Sequence, residues 1–185
     1  MSDSDVFGMH GVTSPDKIEE KLSRMCWNIA HFLFFTLLPD YGFNKIRIVI
    51  LKIFGAQVGF TNQIPASVNI LKPWKLVMEK NSCLSKGCDV YNFALVLLKA
   101  NSIISKNTHL CTATHEYEKV GLPLTSAPIT IGENVWIAAD CFIGPGIVIG
   151  EGCVVGARSL VLNDLEPWMV YAGHPAKALK PRNRP

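Results

Sequence analysis

The chain has 185 residues, 49% of them apolar and 18% charged, with a net charge of +3. That length fits one domain able to build a core, since the charged share falls below the roughly 25% of average globular proteins. Disorder, which needs low hydrophobicity and high net charge, is excluded for the bulk of the chain, as is the strongly basic footprint of a general nucleic-acid binder.

The first residues, MSDSDVFGMH, carry acids and lack the basic-then-apolar order of a signal peptide. A cytoplasmic protein is therefore expected. Its six cysteines (Cys26, Cys83, Cys88, Cys111, Cys141 and Cys153) are read as free, small hydrophobes rather than disulfides. None stands in a C-x-x-C pair, which argues against a zinc knuckle.

Ser14 and Pro15 predict a helix N-cap and first turn. Ile18, Leu22, Met25, Ile29 and Phe32 then recur at helical spacing until Pro39 stops the run. The most apolar stretch, Trp27–Leu38, is 12 residues long, whereas a spanning helix needs about 20. Two readings follow. In one the helix packs on the rest of the protein. In the other it lies at a lipid interface, with Trp27, Phe32, Phe34 and Phe35 among headgroups and Lys17, Lys21 and Arg24 attracting anionic lipid. The second reading implies a peripheral membrane contact through 27–38, at the inner face. Ile46–Phe54, ending at Gly55, is either a second helix or, because IRIVI is β-branched, a strand.

From residue 131 an aliphatic side chain returns every six positions: Ile131, Ile137, Ile143, Ile149, Val155 and Val161. The next residue is Gly or Ala in every case except Leu162, and the fourth after each aliphatic is mostly compact. Upstream the period survives in triples: Val58, Ile64, Ile70; Met78, Leu84, Val90; Leu98, Ile104, Leu110. These start 20 residues apart, or three hexads plus two. Each triple is read as one coil of a three-sided all-β solenoid with a two-residue bulge. Stacked coils pair strands about 4.8 Å apart and bury a continuous aliphatic column. An antiparallel sandwich would instead place turns every 8–12 residues or so.

The frame breaks between Leu110 and Ile131, so 116–130 is read as an excursion, with Gly121, Pro123 and Pro128 suited to a protruding loop. His115 stands just before it. An outward imidazole there is suited to taking a proton from a hydroxyl, against the alternative of a surface histidine that anchors the loop.

Several runs carry a resemblance: TATHEY (112–117), APITIGENVWIAA (127–139), IGPGIVIGEGCVVGA (143–157) and YAGHPAK (171–177), with FGAQVG (54–59) and KPWKL (72–76) upstream. Over roughly 45–182 the chain resembles the hexapeptide-repeat acyltransferases, and among them the colanic acid biosynthesis O-acetyltransferase branch. The resemblance implies a left-handed parallel β-helix, a homotrimer with active sites between subunits, acetyl-CoA as acyl donor, no metal, and a sugar or polysaccharide-precursor acceptor. It implies His115 as general base, Trp136 beside the pantetheine, and Ala139 and Ala157 as small channel-lining residues. Lys177, Lys180 and Arg182 are candidates for the CoA phosphates, and Arg184 is read as a solvated terminus. Asn92 is a candidate acceptor contact, or else a corner asparagine. Glu116 and Tyr117 would orient His115 or touch the acceptor. The family usually has a small residue where Arg158 stands.

The expected organisation is a helical segment over 1–56, a hexapeptide β-helix acyltransferase domain over 57–170 with its loop at 116–130, and a basic tail over 171–185. Two alternatives remain. One is a metal-dependent hydrolase or carbonic anhydrase on the same fold, which needs three converging histidines; only His109 and His115 are well placed, with His10, His31 and His174 outside the coils. The other is a non-catalytic, membrane-associated scaffold.

Overall fold

A computed structural model describes residues 18–40 and 42–184; the expected cap at Ser14 and Pro15, together with His10 and Lys17, lies outside them. The hexads form a parallel β-solenoid with three faces. One face stacks Asn69–Ile70, Asp89–Tyr91, His109–Cys111, Phe142–Ile143 and Leu160–Val161. The next stacks Leu76–Met78, Val96–Leu98, Ile129–Ile131 and Val148–Ile149. The third stacks Cys83–Leu84, Ile103–Ile104, Trp136–Ile137 and Val154–Val155. We call these the first, second and third faces. Upstream coils pair at 20 residues (Asn69 with Asp89, Asp89 with His109) and downstream coils at 18 (Trp136 with Val154, Phe142 with Leu160).

Every periodic aliphatic points into the column. Ile131, Ile137, Ile143, Ile149, Val155 and Val161 are all fully buried, as are Leu84, Val90, Leu98, Ile104 and Leu110. At two of the glycines that follow an aliphatic, the absence of a side chain has a steric reason. A Cβ on Gly150 would lie 2.6 Å from the Pro167 nitrogen, and one on Gly132 2.7 Å from the Glu151 nitrogen, so the next coil's backbone occupies that space. Burial pushes the Cys88 thiol up to about 11 and raises those of Cys141 and Cys153, which suits inert core hydrophobes. All six cysteines are free thiols.

The corners divide into two kinds. Between the second and third faces, Asn81, Asn101 and Asn134 take positive φ near 55–59° and hydrogen-bond up the stack, at 3.1 and 3.3 Å. Asparagine tolerates this region better than most residues. Between the third and first faces, Gly87, Asn107, Asp140 and Arg158 play the same part, so Arg158 stands with φ +59° where a small residue is the usual solution. The corner from first to second face differs. It carries the two extra residues of each 20-residue coil, and its interior holds a polar column, Lys72, Asn92 and Thr112, each buried.

Residues 113–128 leave the solenoid from this corner. They do not form an open loop over 116–130: Ala113–His115 and Leu124–Ser126 pair as an antiparallel hairpin, and the coil resumes at Ile129 against Val96. The stretch expected as a basic tail likewise forms a hairpin. Met169–Gly173 adds to the third face beside Val154–Val155, and Ala176–Pro181 pairs back on it.

The N-terminal segment is two helices, α1 (Ile18–His31) and α2 (Asn44–Ile53), with a π-helical turn at Phe32–Thr36. The helical reading of Ile46–Phe54 is the one realised, and α2 ends before Gly55, φ +88°. Trp27 anchors the pair. It is 1% exposed, donates Nε1–H to the Ile70 carbonyl at 2.6 Å, and meets Phe35 and Phe54 edge-on. Buried Arg47 donates to the carbonyls of Phe34, Leu38, Pro39 and Asp40, which satisfies a chain reversal that lacks its own ladder. Trp27 and Phe35 are therefore core, and Phe34 is half-buried, because solenoid and α2 cover that side. They are not placed to meet headgroups. The recurrent stripe at 18, 22, 25 and 29 faces outward instead.

Candidate active site

The hairpin that carries His115 is tied down at its base and its tip. Ala127 N–H donates to the Thr112 carbonyl, Glu116 N–H to Pro123, and Leu122 N–H to Lys119. The Thr112 hydroxyl accepts from Ala94 N–H, which links the hairpin to the coil beneath. Leu122 takes φ +46°, in the left-handed region, and that turns its carbonyl back toward the strand opposite. The His115 Nδ1 lies 2.5 Å from this oxygen. A carbonyl only accepts, so Nδ1 carries the hydrogen, and in the neutral ring Nε2 is left as the acceptor. The imidazole is exposed, so a hydroxyl can reach it. Glu116 pairs with Lys119, and Tyr117 stands 81% exposed at the tip; neither hydrogen-bonds the imidazole.

The donor-side candidates lie elsewhere. Trp136 is on the third face, pointing out, with Nε1–H donated to the Ser105 hydroxyl at 3.1 Å. Ala139 and Ala157 stack one above the other at the corner between third and first faces, joined by Arg158 N–H to the Ala139 carbonyl. At these two positions no side chain extends beyond Cβ, so an extended thin ligand has access to backbone beside the corner residues Asp140 and Arg158. The outward column Trp136, Val154, Val170, Lys180 runs up the same face in register, and three strand steps carry it about 14 Å. Exposed Lys177 and Lys180 close that end. An alanine pair, an outward indole and terminal cations are what this side of the structure offers an extended ligand with an anionic end.

Arg182 also has partners within the chain. Its Nη1 donates to the carbonyls of Asn134 and Gly152, both at 3.0 Å, and its guanidinium lies 5.9 Å from the Trp168 ring. Its carbonyl bonds staple the hairpin to the solenoid. Arg184 is not simply solvated, since it stacks on the same indole at 5.1 Å. For Asn92 the corner reading is the one realised. It is fully buried; its amide donates to the carbonyls of Lys72 and Lys75, and its oxygen accepts from Lys72 N–H. With both donors engaged it is the corner asparagine, not an acceptor contact.

His115 and the donor-side residues thus sit at opposite ends of the first face: the hairpin at the corner to the second face, the alanines at the corner to the third. Between them the first face holds a pair the sequence pattern did not single out. His109 Nδ1 lies 2.9 Å from Asp89 Oδ2, with Asn69 on the other carboxylate oxygen and Phe142 stacked on the imidazole. Their 20-residue spacing was the available clue. The His109 bond holds the Asp89 carboxyl below its usual range. Among the described residues, no three His, Cys, Asp or Glu side chains group as metal ligands.

Comparison with known proteins decides the family. Residues 128–163 match the model of bacterial transferase hexapeptide (six repeats). The chain is 37% identical over 136 residues to the putative colanic acid biosynthesis acetyltransferase WcaF of Escherichia coli K12, covering 74% of this chain and 75% of that one. The chain belongs to the hexapeptide-repeat acetyltransferases. These enzymes take their acyl group from acetyl-CoA. The solenoid is their left-handed β-helix. It superposes on a galactoside acetyltransferase in complex with coenzyme A with TM-score 0.83 at 25% identity, over 92% of this chain and 86% of that one. A hexapeptide-repeat acetyltransferase from Vibrio cholerae O1 biovar eltor, solved with acetyl-CoA, shares the fold over the whole of both chains, at 19% identity and TM-score 0.83.

Proposed function

We propose that this chain moves the acetyl group of acetyl-CoA to a hydroxyl of a sugar or polysaccharide precursor, with His115 as general base. The observation that carries the reading is the 2.5 Å contact between His115 Nδ1 and the Leu122 carbonyl, which leaves Nε2 as the proton acceptor on an exposed edge. Acetyl-CoA supplies an acyl group already activated as a thioester. His115 Nε2 takes the proton as the hydroxyl oxygen attacks the thioester carbonyl. The imidazolium then returns that proton to the departing thiolate, so the base is restored each cycle. Trp136 walls the arm, Ala139 and Ala157 admit it to backbone, and Lys177 and Lys180 hold its phosphates. A sugar acceptor is favoured by the kinship with WcaF and by the 41% identity over 88 residues to a galactoside O-acetyltransferase of Escherichia coli K12.

The working unit is a homotrimer. His115 and the donor-side alanines lie at different corners of one triangular coil, so a second subunit bringing its alanine corner to this hairpin completes the site.

The test is CoA release from acetyl-CoA with a panel of free, lipid-linked and nucleotide-linked sugars. His115→Ala is expected to lower kcat by about 10²–10⁴, with the acetyl-CoA KM unchanged. Equal activity in the variant, or no acetyl-CoA consumption by the wild type with any acceptor, overturns the reading.

A further inference from the structure

The helices carry a surface that packing on the solenoid does not explain. In α1, Trp27 points inward, while Ile18, Leu22, Met25, Ile29 and, just beyond it, Phe32 are each more than half exposed, Ile18 at 85%. At about 100° per residue these fall on one arc opposite Trp27, a stripe about 20 Å long at 1.5 Å per residue. The second helix repeats the arrangement. Arg47, Ile48 and Leu51 are buried, and Ile46, Val49 and Ile53 are exposed on the opposite side, Ile53 at 70%. Single exposed aliphatics are ordinary; two outward stripes on neighbouring helices are not.

Charge is sorted around them. Glu20 turns to Lys72 and Lys75, at 3.5 and 3.7 Å, and Asp40 to Lys86 at 2.7 Å, so these acids face the solenoid. Lys21, Lys45 and Lys52 flank the stripes, and none of them pairs with an acid among the described residues. Lys52 stands over the ring of Phe60, itself exposed, which extends the apolar surface past α2. An apolar stripe with an unneutralised cationic rim is the pattern of helices that lie in a membrane interface.

We propose that α1 and α2 dock this protein on an anionic lipid bilayer, with the two stripes at the headgroup–acyl boundary and Lys21, Lys45 and Lys52 among the lipid phosphates. The occupants differ from those the sequence suggested: Trp27 and Phe35 hold the helices to the solenoid, and the opposite side meets lipid. A two-fold contact of this patch with its own copy is disfavoured, because it would set lysine against lysine with Glu19 the acid left over on α1.

The experiment is co-sedimentation of the full chain with vesicles of phosphatidylcholine alone and of phosphatidylcholine with 30% phosphatidylglycerol, a composition chosen to span about the anionic content that recruits basic helices. The wild type is expected to partition at least about tenfold more onto the anionic vesicles, less so as salt rises. Leu22→Ser with Ile29→Ser, and separately Val49→Ser with Ile53→Ser, are expected to abolish partitioning while the melting temperature and elution volume stay unchanged. No binding to either vesicle, equal binding to both at all salt concentrations, or unchanged binding by the serine variants overturns the proposal. So does a wild-type oligomer that the serine variants dissociate in the absence of lipid, which would assign the patch to a second copy.

Discussion

His115 and Leu122 face each other across the hairpin, Nδ1 to carbonyl oxygen at 2.5 Å, and the contact depends on Leu122 holding φ +46°. Proline, fixed near φ −65°, cannot take that conformation and removes the N–H given to Lys119; glycine takes it without strain. Leu122→Pro is expected to lower kcat about 10–100-fold by freeing the imidazole, with the acetyl-CoA KM unchanged, because small misplacements of a reacting group cost that much. Leu122→Gly is expected to keep kcat. Steady-state kinetics of both variants check the pair: a fully active Leu122→Pro would remove the tautomer argument.

The separation of His115 from Ala139 and Ala157 on different corners makes a second prediction about subunits. His115→Ala removes the base, and Ala157→Trp blocks the arm, each from one side of a site. Co-expressed in equal amounts, the two inactive chains are expected to regain about a quarter of wild-type activity, since one of four random pairings of neighbouring subunits joins two intact halves. Activity that stays at background on mixing would place both halves in one chain.

Lys180 and Arg182 are neighbours in sequence with different work. Lys180 is exposed at the end of the Trp136 column, whereas Arg182 ties Ala176–Pro181 to the carbonyls of Asn134 and Gly152. Lys180→Ala is expected to raise the acetyl-CoA KM several-fold at unchanged melting temperature. Arg182→Ala is expected to cost about 1.5–3 kcal/mol of stability, the range for hydrogen bonds to a charged group. Denaturant unfolding beside donor-saturation curves separates the two.

Much of this architecture was legible because its cause is local and repeated. An inward aliphatic every six residues is required by the column, so that period is written in each hexad, and between Ile131 and Gly156 a glycine or alanine after it reinforces the pattern. The site was legible only in part. His115 stood out because it borders a break in the period, but its partner is a backbone carbonyl, which no side-chain pattern reveals. Asn92 stays open between two readings in the sequence because a polar residue at a corner reads alike whether it points to solvent or to the Lys72 backbone. Trp27 is open between core and interface in the sequence for a related reason. An amphipathic period tells that a helix has an apolar stripe, not which of two apolar sides the solenoid covers.

Asp89 and His109 add a pH-dependent contribution. The carboxyl is held below its ordinary 3.8, chiefly by the His109 hydrogen bond, so the charged form is favoured in the folded chain. Its stabilisation is present above about pH 4 and is lost as pH falls through the lowered value. Both side chains are about a third exposed, and screening keeps the pair under about 1 kcal/mol. Asp89→Asn is expected to melt slightly lower at pH 7, with a gap that closes at strongly acid pH and shrinks in high salt. A gap that persists unchanged at acid pH would assign the effect to packing.

Gly150 and Gly144 occupy the same position in successive hexads but not the same space. A Cβ on Gly150 would meet backbone at 2.6–2.8 Å, from Pro167 and the Leu165 carbonyl, which cannot move without shifting a coil. One on Gly144 would meet the Leu162 side chain at 3.2 Å and the Val161 carbonyl at 3.3 Å, and the leucine can yield. Gly150→Ala is therefore expected to cost about 1–3 kcal/mol, as overpacking does, and Gly144→Ala clearly less. Denaturant midpoints read the order directly. Equal costs would mean that the rule of a small residue after each aliphatic reflects turn conformation rather than the approach of the next coil.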